Sequence, residues 1–179
     1  MGAEDEAERE PGGIFREFAV AWSGVGFEAA KGSSARERAV NFLLDTNVVS
    51  EWMKPRPNVG VVEWLANADE DRLFLSVATL AELRYGVQRL AMGQKRARLE
   101  EWLETDLRNR FEGRVVVIDE EVAEAWGRVL TKADEMGRPM GAMDGFLAAT
   151  AVVHGLTLVT RNESDFRGVG IHSIDPWKD

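Results

Sequence analysis

Four carboxylates carry the chemistry this sequence can do. Asp45 ends the apolar run Phe42-Leu43-Leu44, and Glu82 sits among Leu80, Ala81 and Leu83. Asp144 interrupts Met143-Asp-Gly-Phe-Leu-Ala-Ala-Thr150, and Asp165 lies in Thr160-Arg-Asn-Glu-Ser-Asp-Phe166. Brought together unpaired, such groups repel one another and raise each other's pKa. Divalent cations remove that repulsion, and a pair of them makes a site able to cleave a phosphodiester. With 2 histidines and no cysteine, the ligands of any such site are oxygens, which favours Mg²⁺ or Mn²⁺ over Zn²⁺. The missing cysteine also excludes disulfides and a thiolate nucleophile.

Each acid has a plainer reading. Asp45 is placed to cap a helix beginning at Thr46. Glu82 reads as a solvated helix position, and Asp165 as a turn residue in a polar loop. Asp144 is the hardest to set aside, because a charge among Ala, Phe and Leu needs a partner. The joint arrangement carries the argument.

The elements that must position these acids follow from hydrophobic periodicity. Phe42-Leu43-Leu44 predicts a short buried strand, followed by a helical start that Pro55 and Pro57 stop near Lys54. Asn58 is placed to cap a helix bearing Val61, Val62 and Leu65. Leu73-Phe74-Leu75 predicts a second strand, after which Ser76 caps a helix carrying Leu80, Leu83, Val87 and Leu90. A charged helix is expected over 95–110, then a strand at Val115-Val116-Val117-Ile118 and a helix from Glu120 to Met136. Ala142 to His154 reads as an apolar helix closed by Gly155. Strands at 156–159 and 171–174 complete the series. Short strands alternating with helices predict a three-layer α/β/α fold on a mostly parallel sheet. In such sheets ligands bind at the carboxyl ends of the strands, where all four acids fall.

Composition bounds the function. The 179 residues hold 31 acids and 22 bases, a net charge of −9, and 45% hydrophobic residues, enough for a real core. No apolar run reaches the roughly 18 residues of a membrane span, so no membrane is expected and a cytoplasmic location is the default. The acidity disfavours broad electrostatic binding of nucleic acid and permits a cation-holding cluster. Residues 1–40 differ in texture: five acids in the first ten, Pro-Gly-Gly at 11–13, and Lys31-Gly-Ser-Ser34 as a linker. Eight acids and five bases lie before residue 40, giving −3 of the −9.

Four ordered blocks carry a resemblance. Asn41-Phe-Leu-Leu-Asp-Thr-Asn-Val-Val-Ser-Glu51 resembles the opening of PIN-domain ribonucleases, the toxin half of VapBC-type toxin–antitoxin pairs. Leu75-Ser-Val-Ala-Thr-Leu-Ala-Glu-Leu-Arg-Tyr-Gly86, Ala142-Met-Asp-Gly-Phe-Leu-Ala-Ala-Thr150 and Leu158-Val-Thr-Arg-Asn-Glu-Ser-Asp-Phe166 are similar to the family's later blocks. Ile174-Asp-Pro-Trp177 is similar to the ending of its FitB-like branch. The resemblance covers 41–179, which is expected to be the PIN domain, with 1–40 as an N-terminal extension outside it. That extension reads most simply as a start codon assigned too early, with Val40 as the true start. Alternatively, Ile14 to Trp22 resembles the aromatic and basic tail of an antitoxin.

The resemblance implies a Mg²⁺- or Mn²⁺-dependent endoribonuclease acting by metal-assisted hydrolysis, with an RNA substrate and a cognate antitoxin protein. It carries over Asp45, Glu82 and Asp144 as metal-binding acids. The fourth position is Asn162 or Asp165, and Asp165 is favoured for its full charge. Thr46 and Asn47 are expected to orient Asp45 or a metal-held water, and Thr160 to hydrogen-bond an acid or a phosphate. Arg84 and Arg161 are candidates to contact phosphate or an acidic antitoxin, with a surface salt bridge as the alternative. Lys54, Arg56 and Arg138 are further candidates for an RNA rim. Surplus apolar residues on the helices after the first two strands predict a homodimer. A catalytically silent or self-inhibited RNA- or protein-binding module is the alternative function.

Two decoys fall away. Gly24-Val-Gly-Phe-Glu-Ala29 fits a dinucleotide-binding fingerprint, but Lys31-Gly-Ser-Ser34 breaks the helix that must follow. A haloacid-dehalogenase-like phosphatase needs an acid two residues after Asp45, where Asn47 stands. Trp52, Met53 and Trp64 read as core or interface.

Overall fold

The computed structural model describes residues 40–178; the two readings of the N-terminal extension lie outside them. Strand β1 (Phe42–Leu44) leads into a four-residue helix α1 (Thr46–Val49) and a 3-10 turn at Ser50–Met53. Pro55 and Pro57 then interrupt the chain. Helix α2 (Val59–Asn67) starts at Asn58, whose side chain accepts from the Val61 N–H as expected of a cap. Strand β2 (Leu73–Ser76) passes directly into α3 (Val77–Gln88), capped by Ser76 on the Ala78 N–H.

The charged stretch expected as one helix is two: α4 (Gln94–Glu104) and α5 (Asp106–Arg110). Thr105 breaks it, with its hydroxyl bonded back to the Glu101 carbonyl at 2.7 Å. A threonine side chain competes with the helix ladder in this way. Strand β3 is only Val115–Val116 rather than four residues, because β2 has already turned into helix at Ser76 and leaves Val117 and Ile118 unpaired. Asp119 caps α6 (Glu120–Glu135), and α7 (Ala142–His154) ends on Gly155 at φ 62°. Strand β4 (Thr157–Val159), a 3-10 turn at Glu163–Phe166 and β5 (Ser173–Ile174) finish the domain, the last strand also shorter than expected.

The five strands pair in parallel in the order β3-β2-β1-β4-β5. Alternate residues supply the two faces, as a period of two requires. Leu44, Leu73, Leu75 and Val159 pack with Val61, Leu65, Leu83, Val87, Leu99, Leu103, Leu107 and Phe111 from α2 to α5 and the turn after α5. Leu43 and Leu158 face Val129, Ala133, Leu147, Ala148 and Ala151 of α6 and α7. Leu43, Leu44 and Leu158 are completely buried, each worth about 1.5–3 kcal/mol of apolar burial. Trp52, Met53 and Trp64 pack on the first face, as the core reading expected. The three-layer α/β/α fold expected from the sequence is therefore present. No helix among the described residues is long and apolar enough to cross a membrane.

The chain order reverses between β1 and β4. From β1 it moves outward to β2 and β3, then returns to β4 on the other side. The carboxyl ends of β1 and β4 therefore diverge, β1 into α1 and β4 into the loop and 3-10 turn that follow it, opening the crevice in which ligands of such sheets bind.

Candidate active site

Asp45 stands at the carboxyl end of β1 and is 6% exposed. It occupies the position before α1 without a full capping hydrogen bond, although the Thr46 and Asn47 N–H groups still favour its charged form. Its Oδ2 instead accepts from Thr160 Oγ1 at 2.6 Å and from Asn47 Nδ2 at 2.6 Å. Asn47 also donates to Thr160 Oγ1 at 3.2 Å, and its Oδ1 accepts from the Arg161 N–H at 3.3 Å. These bonds tie the end of β1 to the loop after β4. Burial pushes the Asp45 carboxyl above its ordinary value, opposed first by the Thr160 bond; the charge of Glu82 adds to the rise.

Glu82 lies midway along α3, half-buried, with Oε2 accepting from Thr46 Oγ1 at 2.6 Å. Thr46 therefore orients Glu82 rather than Asp45, because its side chain leaves α1 toward α3 while Asn47 faces β4. Asp144 occupies the first turn of α7 and is half-buried. Its carboxyl is raised to about 6, mainly by burial and further by the charges of Asp45, Glu82 and Asp165. Asp165 is exposed on the 3-10 turn and accepts from its neighbour Ser164 Oγ at 3.2 Å. Asn162 uses its backbone: its N–H donates to Thr160 Oγ1 at 3.0 Å, and its carbonyl accepts from the Asp165 N–H at 2.9 Å.

The other three acids thus each act electrostatically on Asp144, and Glu82 acts on Asp45 as well. Among the described residues none of them is in an ion pair. Nor do three or more His, Asp or Glu side chains draw together tightly enough to hold an ion as they stand. The four share a field rather than a closed coordination shell. The donor set fits a hard cation: oxygens throughout, no ion pair to these acids among the described residues, and two of them held above their ordinary pKa.

The basic candidates divide. Arg84 pairs with Glu104 at 3.1 Å, and Arg161 lies over the Trp177 ring at 5.8 Å. Lys54 is held at 2.5 Å by Glu51, a carboxylate 2% exposed that also accepts from the Asn58 N–H, so it braces the turn after α1 rather than lining the rim. Arg138 lines a cleft of about 360 Å³ together with Asp144, Asp165 and Arg167. Arg167 escaped the sequence reading, since nothing in its neighbours separates it from an ordinary surface base. A second cleft, on the Glu82 side, is lined largely by Met53, Leu83, Val87, Leu90 and Leu99, with Thr46 and Lys95 also at its wall.

Gly145 follows Asp144 and was likewise not singled out. A Cβ there would stand 2.8 Å from Leu130 Cδ2 and 2.9 Å from Trp126 Nε1, so the glycine lets α7 press against α6. A glycine inside a helix is costly enough to have signalled close packing.

Residues 42–171 match the family model described as the PIN domain. The chain belongs to the PIN domain family. Toxin FitB of Neisseria gonorrhoeae is 41% identical over 137 residues, covering 76% of this chain and 99% of that protein. VapC ribonuclease Y4jK of Sinorhizobium fredii is 35% identical over 136 residues, covering 76% and 97%. The crystal structure of FitAcB from Neisseria gonorrhoeae superposes with a TM-score of 0.73 at 40% identity, covering 76% of this chain and 98% of that one. In this PIN domain, the matched segment contains all four acids and the carboxyl ends of β1 and β4.

Proposed function

We propose that this PIN domain is a metal-dependent endoribonuclease, the toxin of a toxin–antitoxin pair, hydrolysing RNA phosphodiester bonds. The observation that carries the reading is Asp144: a half-buried carboxyl raised to about 6 by burial and by three neighbouring acids, with no cationic side chain paired to it among the described residues. Such an arrangement is unfavourable for a structural element and suited to holding a cation. The names of the FitB and VapC relatives, a toxin and a ribonuclease, support the same reading.

Asp45, Glu82, Asp144 and Asp165 would hold Mg²⁺ or Mn²⁺, which when bound supplies positive charge at the phosphoryl oxygens and makes water a better nucleophile. Thr160 and Asn47 fix the Asp45 carboxylate through its Oδ2. Thr46 fixes Glu82 in the same way through Oε2. The apolar cleft beside Glu82, with exposed Tyr85 and Met92 near it in the chain, is the surface this reading assigns to the antitoxin. A homodimer and a cytoplasmic location belong to the same reading.

The test is purified protein on total RNA with Mn²⁺, with EDTA, and with Asp144→Ala. Cleavage that needs the metal and the acid is expected. Cleavage surviving both EDTA and the substitution would remove the metal site, and a wild type that binds RNA without cutting it would favour a binding module.

A further inference from the structure

On the Asp144 side of the acid rim, the cleft of about 360 Å³ brings Arg138 and Arg167 to one wall from two separate loops. We propose that these two arginines bind one backbone phosphate of the RNA strand next to the cleaved linkage, and so set the direction in which the strand crosses the site. The inference rests on the ribonuclease reading.

Most other arginines of the domain are engaged, and Arg56, Arg98 and Arg108, which also make no ion pair, side-chain hydrogen bond or ring contact among the described residues, line neither cleft. Arg84, Arg96, Arg110 and Arg114 meet carboxylates, and Arg161 lies on a tryptophan. Arg138 and Arg167 make no ion pair, side-chain hydrogen bond or ring contact among the described residues. Both stay unpaired although Asp144 and Asp165 line the same cleft. Two free guanidiniums beside free carboxylates leave room for a group that is anionic and rich in acceptors. A phosphodiester has that chemistry, and the planar fork of arginine matches it with paired N–H donors.

The two loops are built to meet. Helix α6 ends in a Schellman turn: Gly137 at φ 67° donates to the Asp134 carbonyl, and the Arg138 N–H reaches the Ala133 carbonyl, each at 2.9 Å. That turn fixes where Arg138 leaves the helix. Arg167 follows the 3-10 turn and precedes Gly168, at φ 86°, where a Cβ would come within 2.7 Å of Met136 Sδ. The contact of Met136 with Gly168 therefore sets the approach of the two arginine-bearing segments. The cleft on the Glu82 side is largely apolar, with Lys95 as its basic residue, and offers a phosphate much less.

The probe is a fluorescein-labelled single-stranded RNA 20-mer, with binding followed by anisotropy over about 50–200 mM salt, where phosphate contacts show as the slope of log affinity against log salt. Asp144→Asn is present in every binding arm to keep the RNA intact. Adding Arg138→Ala and Arg167→Ala together is expected to weaken binding about tenfold or more and to reduce the slope by about 0.7, the value for one neutralised phosphate on a single strand. The corresponding double lysine variant keeps the slope and recovers only part of the affinity. With Asp144 intact, the alanine variants should cleave with raised KM and kcat within about twofold. Unchanged affinity and slope in the double alanine variant overturns the proposal. Should that variant not fold, the lysine pair decides, and parental affinity there overturns it equally. A wild type that cleaves no RNA, while binding falls as described, overturns the ribonuclease reading and leaves the phosphate site standing. Cleavage with unchanged KM in the alanine variants overturns the phosphate site alone.

Discussion

Thr160 Oγ1 donates a 2.6 Å hydrogen bond to Asp45 Oδ2, joining the carboxyl end of β4 to that of β1 at the point where the chain order reverses. The hydroxyl also accepts from Asn47 Nδ2 and from the Asn162 N–H, so its proton and both lone pairs are in use. Its direction is thereby fixed toward Asp45. Of the influences on the Asp45 carboxyl, burial raises it most and this bond opposes that most.

Thr160→Val keeps the shape and removes the opposition. The Asp45 carboxyl should then rise further, and a protonated carboxyl does not hold a cation. Mn²⁺ affinity and cleavage rate are expected to fall about 10–100-fold, as for other residues that orient a ligand. The acidic limb of the pH–rate profile should move to higher pH. Titration calorimetry and the profile check this; wild-type values for both would remove Thr160 from the site.

Asp144 gives a stability prediction with a definite sign. Its folded pKa of about 6 lies above the ordinary 3.8, so between those values the native state binds more protons than the unfolded chain. Stability of the metal-free protein therefore falls as pH rises from about 4 to 6 and stays lower above it. Discounted for its partial exposure, the effect is about 1 kcal/mol, or about 2–4 °C in Tm. Asp144→Asn should raise the metal-free Tm at pH 7 by that amount and flatten the pH dependence, as read by thermal melts. A lowered Tm at pH 7 would show that the carboxylate is compensated.

Gly145→Ala tests how closely α7 must lie on α6. The added methyl meets Leu130 and Trp126 at under 3 Å, and Trp126 is itself held by its Nε1 bond to the Ala142 carbonyl and stacked on Phe146. Relief requires α7 to shift, and overpacking of this kind costs about 1–3 kcal/mol. Asp144 moves with the helix. The folded fraction should therefore lose activity as well as stability, measured as kcat/KM corrected by the melt. Full activity per folded molecule would mean that the neighbours give way instead.

The layered fold and the location of the acids were legible because both follow from periodicity and apolar run length. Asn58, Ser76 and Gly155 announce helix ends through their side-chain chemistry, and the structure places them there. The break at Thr105 was not legible, since the charged stretch has good helix formers on both sides. The ends of β3 and β5 depend on how far a partner strand runs, which is a tertiary fact. Within the site, residue type pointed both Thr46 and Asn47 to Asp45 or a metal-held water; Asn47 does bond Asp45, whereas Thr46 bonds Glu82. Thr46 and Asn47 are sequence neighbours, yet they point to α3 and to β4 respectively. The free arginines, Arg138 and Arg167, differ from the engaged Arg84 and Arg161 only in what the fold sets beside them.

The fourth acid can be assigned by two substitutions in one loop. Asn162 serves through its backbone, which spans Thr160 and Asp165, and removal of its side chain leaves those bonds in place. Asp165 instead contributes charge, being one of the groups that raise Asp144. Asn162→Ala is therefore expected to keep Mn²⁺ affinity and cleavage within about threefold, whereas Asp165→Asn should lower both by about tenfold or more, the range for a group acting on a metal ligand. Asp165→Asn should also bring the Asp144 carboxyl down from about 6, visible as a shift of its carboxyl resonance in a pH titration of the metal-free protein followed by NMR. That shift comes from lost repulsion and does not require Asp165 to bind metal, so the two readouts separate. A large metal-affinity loss in Asn162→Ala with none in Asp165→Asn would move the fourth ligand to Asn162 and its side-chain carbonyl.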